Sequence, residues 1–157
     1  MKIKFTKTRD VLTPDLAAKL KRAKNPKKAL EAMGLTVVSM NQRAFTQTSL
    51  RPKAWPALKA ATIKAKKAGG YGSKPLISSG ALAQSGRVVK VTSKTVTVGS
   101  DRRVGSHSLA AIHQLGTQDG RIPARPTWPF DAQGKPTAKA SRNLKSSAKA
   151  ALDLEYP

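Results

Sequence analysis

The chain has 157 residues, of which 39% are hydrophobic, a size and composition that suit one domain with a modest core. It has no cysteine and only two histidines, which excludes a disulfide framework, a thiolate metal site and a zinc site made of histidines alone. No apolar run reaches the length of a membrane span, and the first residues lack the apolar core of a signal peptide. We expect a single domain over residues 1–157, without membrane contact, metal or cofactor.

The charge is the strongest compositional signal. The formal net charge is +22, and no acidic residue occurs from Ala32 through Ser100. Such an excess destabilises a lone compact state and favours a polyanionic partner, either nucleic acid or an acidic protein surface. The alternative is a basic exterior that is simply solvated. No helix-turn-helix, zinc-finger or aromatic RNP signature indicates that bases are contacted directly.

The N-terminal region, residues 1–25, carries two short signals. Ile3 and Phe5 alternate with lysines, which is typical of a half-buried strand. The sequence at 13–15, Thr-Pro-Asp, supplies a helix N-cap, a proline at the first helical position and an acid in the first turn. We expect this region to be partly extended and the acidic end, residues 153–157, to fray.

A longer helix is predicted to start after Asn25 and Pro26. Its apolar positions follow a period near 3.6 residues: Leu30, Met33, Val37, Met40 and Ala44. Gly34 interrupts this helix at a cost of about 1 kcal/mol relative to alanine. That cost is avoided only if close packing requires a bare backbone at this position.

The middle of the chain predicts two helices and a hairpin. A helix is expected over residues 55–69, followed by a flexible glycine-rich break, which lacks the spacing of a phosphate-binding loop. Residues 79–82 can start a second, short helix. Residues 87–100 alternate as a β-hairpin, with four valines expected to face inward. These are Val89, Val91, Val96 and Val98.

The stretch 109–126 combines a short helix with a stiff segment. The helix should run from Leu109 to Leu115 and end at Gly116, with a turn following it. Pro123 and Pro126 then restrict the backbone around Arg125. The next residues, Trp-Pro-Phe at 128–130, form an aromatic patch that suits either the core or an intersubunit contact.

The C-terminal segment, residues 136–154, has a helical pattern with two faces. Small and apolar residues form one stripe: Ala140, Leu144, Ala148 and Ala151. Basic residues follow beside it: Lys135, Lys139, Arg142 and Lys149. This basic face is expected either to be solvated or to contact DNA or an acidic neighbour.

Residue types that could act in catalysis are not grouped in the sequence in a known catalytic arrangement. The eight carboxylates are scattered, whereas a two-metal nuclease needs them clustered. Asp101, Ser106 and His107 are close in sequence but lack a nucleophile elbow. His113 has no carboxylate three or four residues away on its helix. We therefore expect no catalytic residues, and the elements together predict an α+β fold with several helices packed on a small antiparallel sheet.

Four segments resemble, in the right order, motifs of the phage virion morphogenesis family, which includes the tail completion or neck proteins of Mu-like tailed phages. They are WPALKAATIKAKKAG at 55–69, LISSGALAQS at 76–85, TVGS at 97–100, and LAAIHQLG followed by IPARP between 109 and 126. The chain departs from the family pattern at Leu109, where an aromatic residue is usual. It departs again at 127–130, where Thr-Trp-Pro-Phe replaces Phe-Leu-Gly.

The resemblance implies a structural virion protein, assembled in the cytoplasm of the host bacterium, that forms a ring at the head–tail junction. Six copies are expected, with contacts to tail tube or terminator proteins, to head-connector proteins and to DNA in the lumen. The alternative from a different class is a basic nucleic-acid-binding protein of ribosomal or packaging type.

The stretch around the two prolines is the candidate interface. Its residues are His113, Gln114, Gly116, Ile122, Pro123, Arg125, Pro126 and Trp128. Arginine is common among interface residues that dominate binding, and the prolines preorganise the segment. Two roles remain open for Arg125: an anchor on a neighbouring subunit, or a buried group that caps the preceding helix of its own subunit.

Overall fold

A computed structural model describes residues 20–21 and 25–153, and it confirms a small α+β domain. The helices are α1 (Lys27–Ala44), α2 (Ala60–Ala68), α3 (Ala81–Gln84), α4 (Leu109–Leu115) and α5 (Ala138–Asp153), with a 3-10 turn at Thr48–Leu50. The strands are β1 (Gly86–Val91), β2 (Val96–Ser100), β3 (Arg103–Val104) and β4 (His107–Ser108). The predicted strand at Ile3 and the helix start at 13–15 lie outside the described residues.

Helix α1 is the central element, and α5 and the β1–β2 hairpin both pack on it. It begins after Pro26, whose carbonyl accepts the first helical hydrogen bond from Leu30 N at 2.9 Å. The predicted apolar stripe is confirmed where Val37, Met40 and Ala44 are buried. The fully buried cluster at its C-terminal half consists of Met40, Ala44, Leu50 and Ala140.

The predicted stripe of α5 also faces inward, with Ala140 fully buried and the later members half-buried. Asn143 Nδ2 approaches Met40 Sδ at 3.5 Å, near the start of α5, while Ala150 lines a groove together with Leu35. The two helices therefore run antiparallel. Small residues on α5 allow this close approach.

Gly34 lies where α1 and the hairpin approach most closely. A Cβ added at this glycine would lie 2.6 Å from Val96 Cγ2 and 3.1 Å from Val88 Cγ2. Both distances are shorter than an ordinary carbon–carbon contact, so the valine side chains or the hairpin would have to shift to accommodate an alanine. The close packing that would justify a glycine in this helix is therefore present.

The predicted hairpin forms, but the prediction that Val89 faces inward is wrong. Strands β1 and β2 are antiparallel, with Val88 opposite Val98 and Lys90 opposite Thr97. Val89 is the extra residue of a β-bulge and is 59% exposed. Because a bulge shifts the alternation by one residue, Val88 rather than Val89 faces α1.

The predicted helix at 55–69 is wrong in its first part. Helix α2 starts only at Ala60, and Lys59 before it has an extended backbone, with φ −64° and ψ 148°. Pro56 disfavours helical geometry at Trp55. The carbonyls of the non-helical segment at 56–57 are used instead in contacts with a distant part of the chain, described below. Helix α4 begins and ends where the sequence predicts it, and α3 begins at Ala81, within the start predicted at 79–82.

We expect Gly34→Ala to destabilise the protein, although alanine favours helices by about 1 kcal/mol. Overpacking against Val96 and Val88 should cost about 2 kcal/mol, which leaves a net loss of about 1 kcal/mol. Urea denaturation measures this change. The matched control is Leu35→Ala, one residue along and 59% exposed, which should change stability by less than about 0.5 kcal/mol. A Gly34→Ala protein as stable as the parent would contradict the packing argument.

Candidate functional site

Helix α4 is closed at both ends by local chemistry. Ser108 Oγ accepts a hydrogen bond from Ala111 N at its start. Gly116 ends the helix with φ +81° and ψ 179°, a conformation that residues with a side chain rarely adopt. A Cβ on Gly116 would also lie 2.9 Å from Ala124 N. Glycine at this position therefore lets the chain return tightly against the helix end.

The segment after Gly116 folds back onto α4. Thr117 N donates to Ile122 O, and Ile122 N donates to Thr117 Oγ1, both at 3.0 Å. Arg125 N then donates to His113 O at 2.7 Å, which satisfies a carbonyl at the end of α4. The stiff segment predicted from the prolines is thus held within its own subunit.

Gln114 fixes the path of the chain beyond Pro126. Its Oε1 accepts hydrogen bonds from Thr127 N at 3.1 Å and Trp128 N at 3.0 Å. Its Nε2 donates to Phe130 O at 2.9 Å and, at 3.4 Å, to Trp128 O. One half-buried amide therefore satisfies four backbone groups in a segment without secondary structure of its own.

Arg125 and Trp55 join two of the four motif segments, 109–126 and 55–69. Arg125 Nε donates to Pro56 O and Arg125 Nη2 donates to Ala57 O, both at 3.0 Å. In return, Trp55 Nε1 donates to Pro126 O at 2.8 Å. Arg125 is 6% exposed, and burial lowers the pKa of its guanidinium. We call these five residues the Arg125–Trp55 cluster.

The cluster is fastened to the end of α1 by Arg51. The guanidinium of Arg51 lies 3.6 Å from the ring centroid of Trp55, a cation–π contact. Arg51 Nε donates to Ala44 O at 2.7 Å, and Arg51 Nη2 donates to Phe45 O at 3.1 Å. The ring of Phe45 packs edge-on against Trp55, with centroids 5.9 Å apart. Arg51 therefore caps α1 and supports the indole.

A cationic pocket of about 380 Å³ lies on the other side of Arg125. Four of its lining residues can carry positive charge: Lys66, Arg102, His113 and Arg125. His113 Nδ1 is buried without a hydrogen-bond partner among the described residues. Burial, and secondly the charge of Arg125, lower the pKa of His113 below its ordinary 6.5. The imidazole is therefore neutral at pH 7.

The structure separates the predicted interface residues into two groups. Arg125 and Pro126 are buried, while the others are half-buried: His113, Gln114, Gly116, Ile122, Pro123 and Trp128. Of the two roles left open for Arg125, the observed contacts are those of a structural group in its own subunit. Its side chain does not cap α4, however; its backbone N–H does that, while the guanidinium binds carbonyls before α2. Contacts of this segment with other subunits stay a prediction.

The predicted basic residues near the C-terminus lie mostly on the surface. Lys135, Arg142 and Lys149 are exposed, and Lys139 donates to Ser49 Oγ at 3.1 Å. Lys145 is exposed as well and lies between Arg142 and Lys149 in the helix. We call Lys139, Arg142, Lys145 and Lys149 the α5 ridge, because their spacing places them on one side of the helix.

Several residues of the site were not found from the sequence. Arg51, Lys66 and Arg102 carry no local signal, since each is one cation among thirty. Within residues 20–21 and 25–153, no group of three or more His, Asp or Glu residues is placed to hold a metal ion. In the same part of the chain, no helix is long and apolar enough to cross a membrane.

These features define a small α+β protein whose motif residues mainly hold its own irregular segments together. The model of the phage virion morphogenesis family matches residues 3–145, so this chain belongs to that family. The resemblance noted in the four sequence motifs is confirmed. No curated protein and no solved structure matches the chain significantly. The protein thus has a role in building the phage virion.

Replacing Gln114 with alanine should destabilise the protein by about 3 kcal/mol, because buried backbone groups at 127–130 lose their partners. The control is Gln118→Ala, at an exposed position of the neighbouring turn, with an expected change below about 0.5 kcal/mol. Urea denaturation of both variants measures the difference. Equal stability of the two would show that Gln114 does not hold this segment.

Arg125→Ala should destabilise the isolated subunit by about 3 kcal/mol, since the charged hydrogen bonds from the buried guanidinium to Pro56 O and Ala57 O are lost. Arg125→Lys should restore only part of the loss, because one ammonium cannot reproduce the paired donors. The control is Arg121→Ala, whose side chain is 86% exposed. Thermal unfolding provides the measurement. An unchanged melting temperature combined with failure of tails to join heads would instead support an intersubunit role.

The lowered pKa of His113 predicts a pH dependence of stability. The unfolded chain binds this proton more readily than the folded one, so the contribution is fully present above pH 6.5. It is lost as the pH falls through the lower pKa of the folded state. We expect His113→Gln to reduce the loss of stability between pH 7 and pH 5, measured from urea midpoints. NMR titration of the parent protein should show His113 titrating below 6.5, and a value above 6.5 would contradict this account.

Proposed function

We propose that this protein is a tail completion or neck subunit, which forms a ring at the head–tail junction and prepares the tail for attachment to the head. The observation that supports the proposal most directly is the family match over residues 3–145, nearly the whole chain. The ring is the arrangement that identical subunits form when head-to-tail contacts close on themselves.

The internal contacts suit such a role. The Arg125–Trp55 cluster and the bonds of Gln114 fix segments that would otherwise be free, and a rigid subunit loses little conformational freedom when it docks. Because these motif residues are occupied within the subunit, docking would use the surface around them. This surface includes exposed apolar side chains at Val104 and Leu115, which are 60% and 63% exposed.

The charge of the protein is the second argument. A formal charge of +22 on each copy multiplies around a ring, and the copies would repel one another unless partners neutralise them. Exposed members of the α5 ridge, such as Arg142 and Lys149, are available for this purpose. We propose acidic tail or connector proteins, or DNA in the lumen, as the neutralising partners.

Cryo-electron microscopy of assembled particles tests the proposal. We expect a closed ring of this chain, of about six copies, between the head connector and the end of the tail tube. Particles lacking the protein should accumulate as separate heads and tails. Finding the chain in the baseplate, in the capsid shell or nowhere in the particle would reject the proposal.

The second candidate function is nucleic-acid binding, which the α5 ridge favours because its basic residues lie on one side of the helix. That function predicts that the logarithm of the DNA-binding constant falls with the logarithm of the salt concentration, with a slope that corresponds to several phosphate contacts. It also predicts that the particle contains no ring of this chain. The junction function predicts that docking of purified tails to heads weakens between low and physiological salt. Docking that is indifferent to salt would mean that apolar contacts join the subunit to its partners.

A further inference from the structure

The cationic pocket combines charged and apolar walls. Its positive side chains are Lys66 from α2, Arg102 at the start of the β3–β4 hairpin and Arg125 from the segment behind α4. Leucines supply the apolar part: Leu58, Leu76, Leu82 and Leu109. None of the acidic residues in the described part of the chain lines the pocket. Its volume of about 380 Å³ is in the range of sites that bind two or three side chains.

Several donors at this pocket have no partner within the described residues. The side chain of Arg102 makes no hydrogen bond or ion pair there, and Nη1 of Arg125 is similarly unused. Lys66 Nζ, in contrast, donates to Ile77 O and Ser78 Oγ. Cations gathered in this way without an anion repel one another, so an anionic group bound among them would be stabilised.

The wall of the pocket also contains an unusual backbone conformation. Leu76 has φ +60°, and no other residue except glycine has a positive φ in the described part of the chain. A leucine in this region is strained, and such strain is concentrated at binding sites in many proteins. The strained residue and the donors without partners therefore lie at the same pocket.

We propose that the pocket binds an acidic peptide, and that its occupant is segment 153–157 of a neighbouring copy of this chain. This segment reads Asp-Leu-Glu-Tyr-Pro and holds two of the eight acidic residues without a basic one. Its carboxylates match Arg102, Lys66 and Arg125, and its alternating Leu154 and Tyr156 match the leucine walls. The inference rests on the proposed function, because it supplies the contact that repeats around the ring.

Helix α5 extends to Asp153, where the acidic segment begins. It runs antiparallel to α1, and Ala150 and Leu35 line one groove. A segment that continues from α5 into the pocket of a neighbouring copy makes a contact that repeats from one copy to the next. Such head-to-tail contacts close into rings.

The test is a titration of the full-length protein with a synthetic peptide of residues 151–157, followed by NMR of the two histidine side chains. Binding should shift the imidazole resonances of His113, which lines the pocket, in a saturable manner. His107 does not line the pocket and serves as the internal reference. A peptide with the same sequence but carrying Asp153→Asn and Glu155→Gln should bind at least about tenfold more weakly.

Matched variants of the protein locate the peptide. Arg102→Gln should weaken binding by about tenfold, whereas Lys94→Gln, which removes the same charge at the exposed hairpin turn, should leave it unchanged. Lys66→Gln provides a second variant at the pocket. The proposal is overturned if the neutral peptide binds equally well, or if the variants at Arg102 and Lys66 bind like the parent.

Inorganic phosphate separates peptide recognition from simple anion binding. If phosphate shifts His113 as strongly as the peptide does at the same concentration, the pocket is a general anion site and the proposal fails. A ring seen in the particle with this pocket empty would reject the inference and retain the proposed function. Peptide binding by a chain found elsewhere in the particle would reject the junction function alone.

Discussion

The structure depends on one buried guanidinium that joins two segments lying 69 residues apart in the sequence. Arg125 donates to the carbonyl of Pro56, and Trp55 donates to the carbonyl of Pro126, the residue after Arg125. A carboxylate partner would be the usual solution for a buried arginine. The chain has no acid from Ala32 through Ser100, so backbone carbonyls take this role. These carbonyls are free only because the segment before α2 is not helical.

The range over which each interaction acts explains which parts of the structure the sequence predicted and which it could not. Periodicity and capping residues located α1, α4 and the hairpin, because those signals act over a few residues. The late start of α2 and the bulge at Val89 depend on contacts made elsewhere in the fold. The cationic pocket is harder still to predict, because Arg102 and Lys66 are brought together only by the folded chain. A pattern of spacing cannot show which of thirty cations is buried.

Surface charges contribute little to the stability of this protein. The ion pairs of Asp101 with Arg87 and of Asp119 with Arg121 are on the surface, where such pairs contribute little. Stability in the described region instead rests on the apolar contacts of α1 and on arginines bound to carbonyls. Lysines and arginines exposed on the surface, such as Arg142 and Lys149, can contact other molecules.

The separation of Trp55 from Arg125 along the chain also determines the order in which the protein can fold. Synthesis proceeds from the N-terminus, and contacts between distant residues form only after both have been made. Until residue 126 has emerged, the indole of Trp55 and the carbonyls at 56–57 lack their partners. The buried cluster at the end of α1 is likewise complete only after Ala140 has been synthesised. The first half of the chain therefore cannot complete its tertiary contacts by itself, because they depend on residues at 125–126 and at 140.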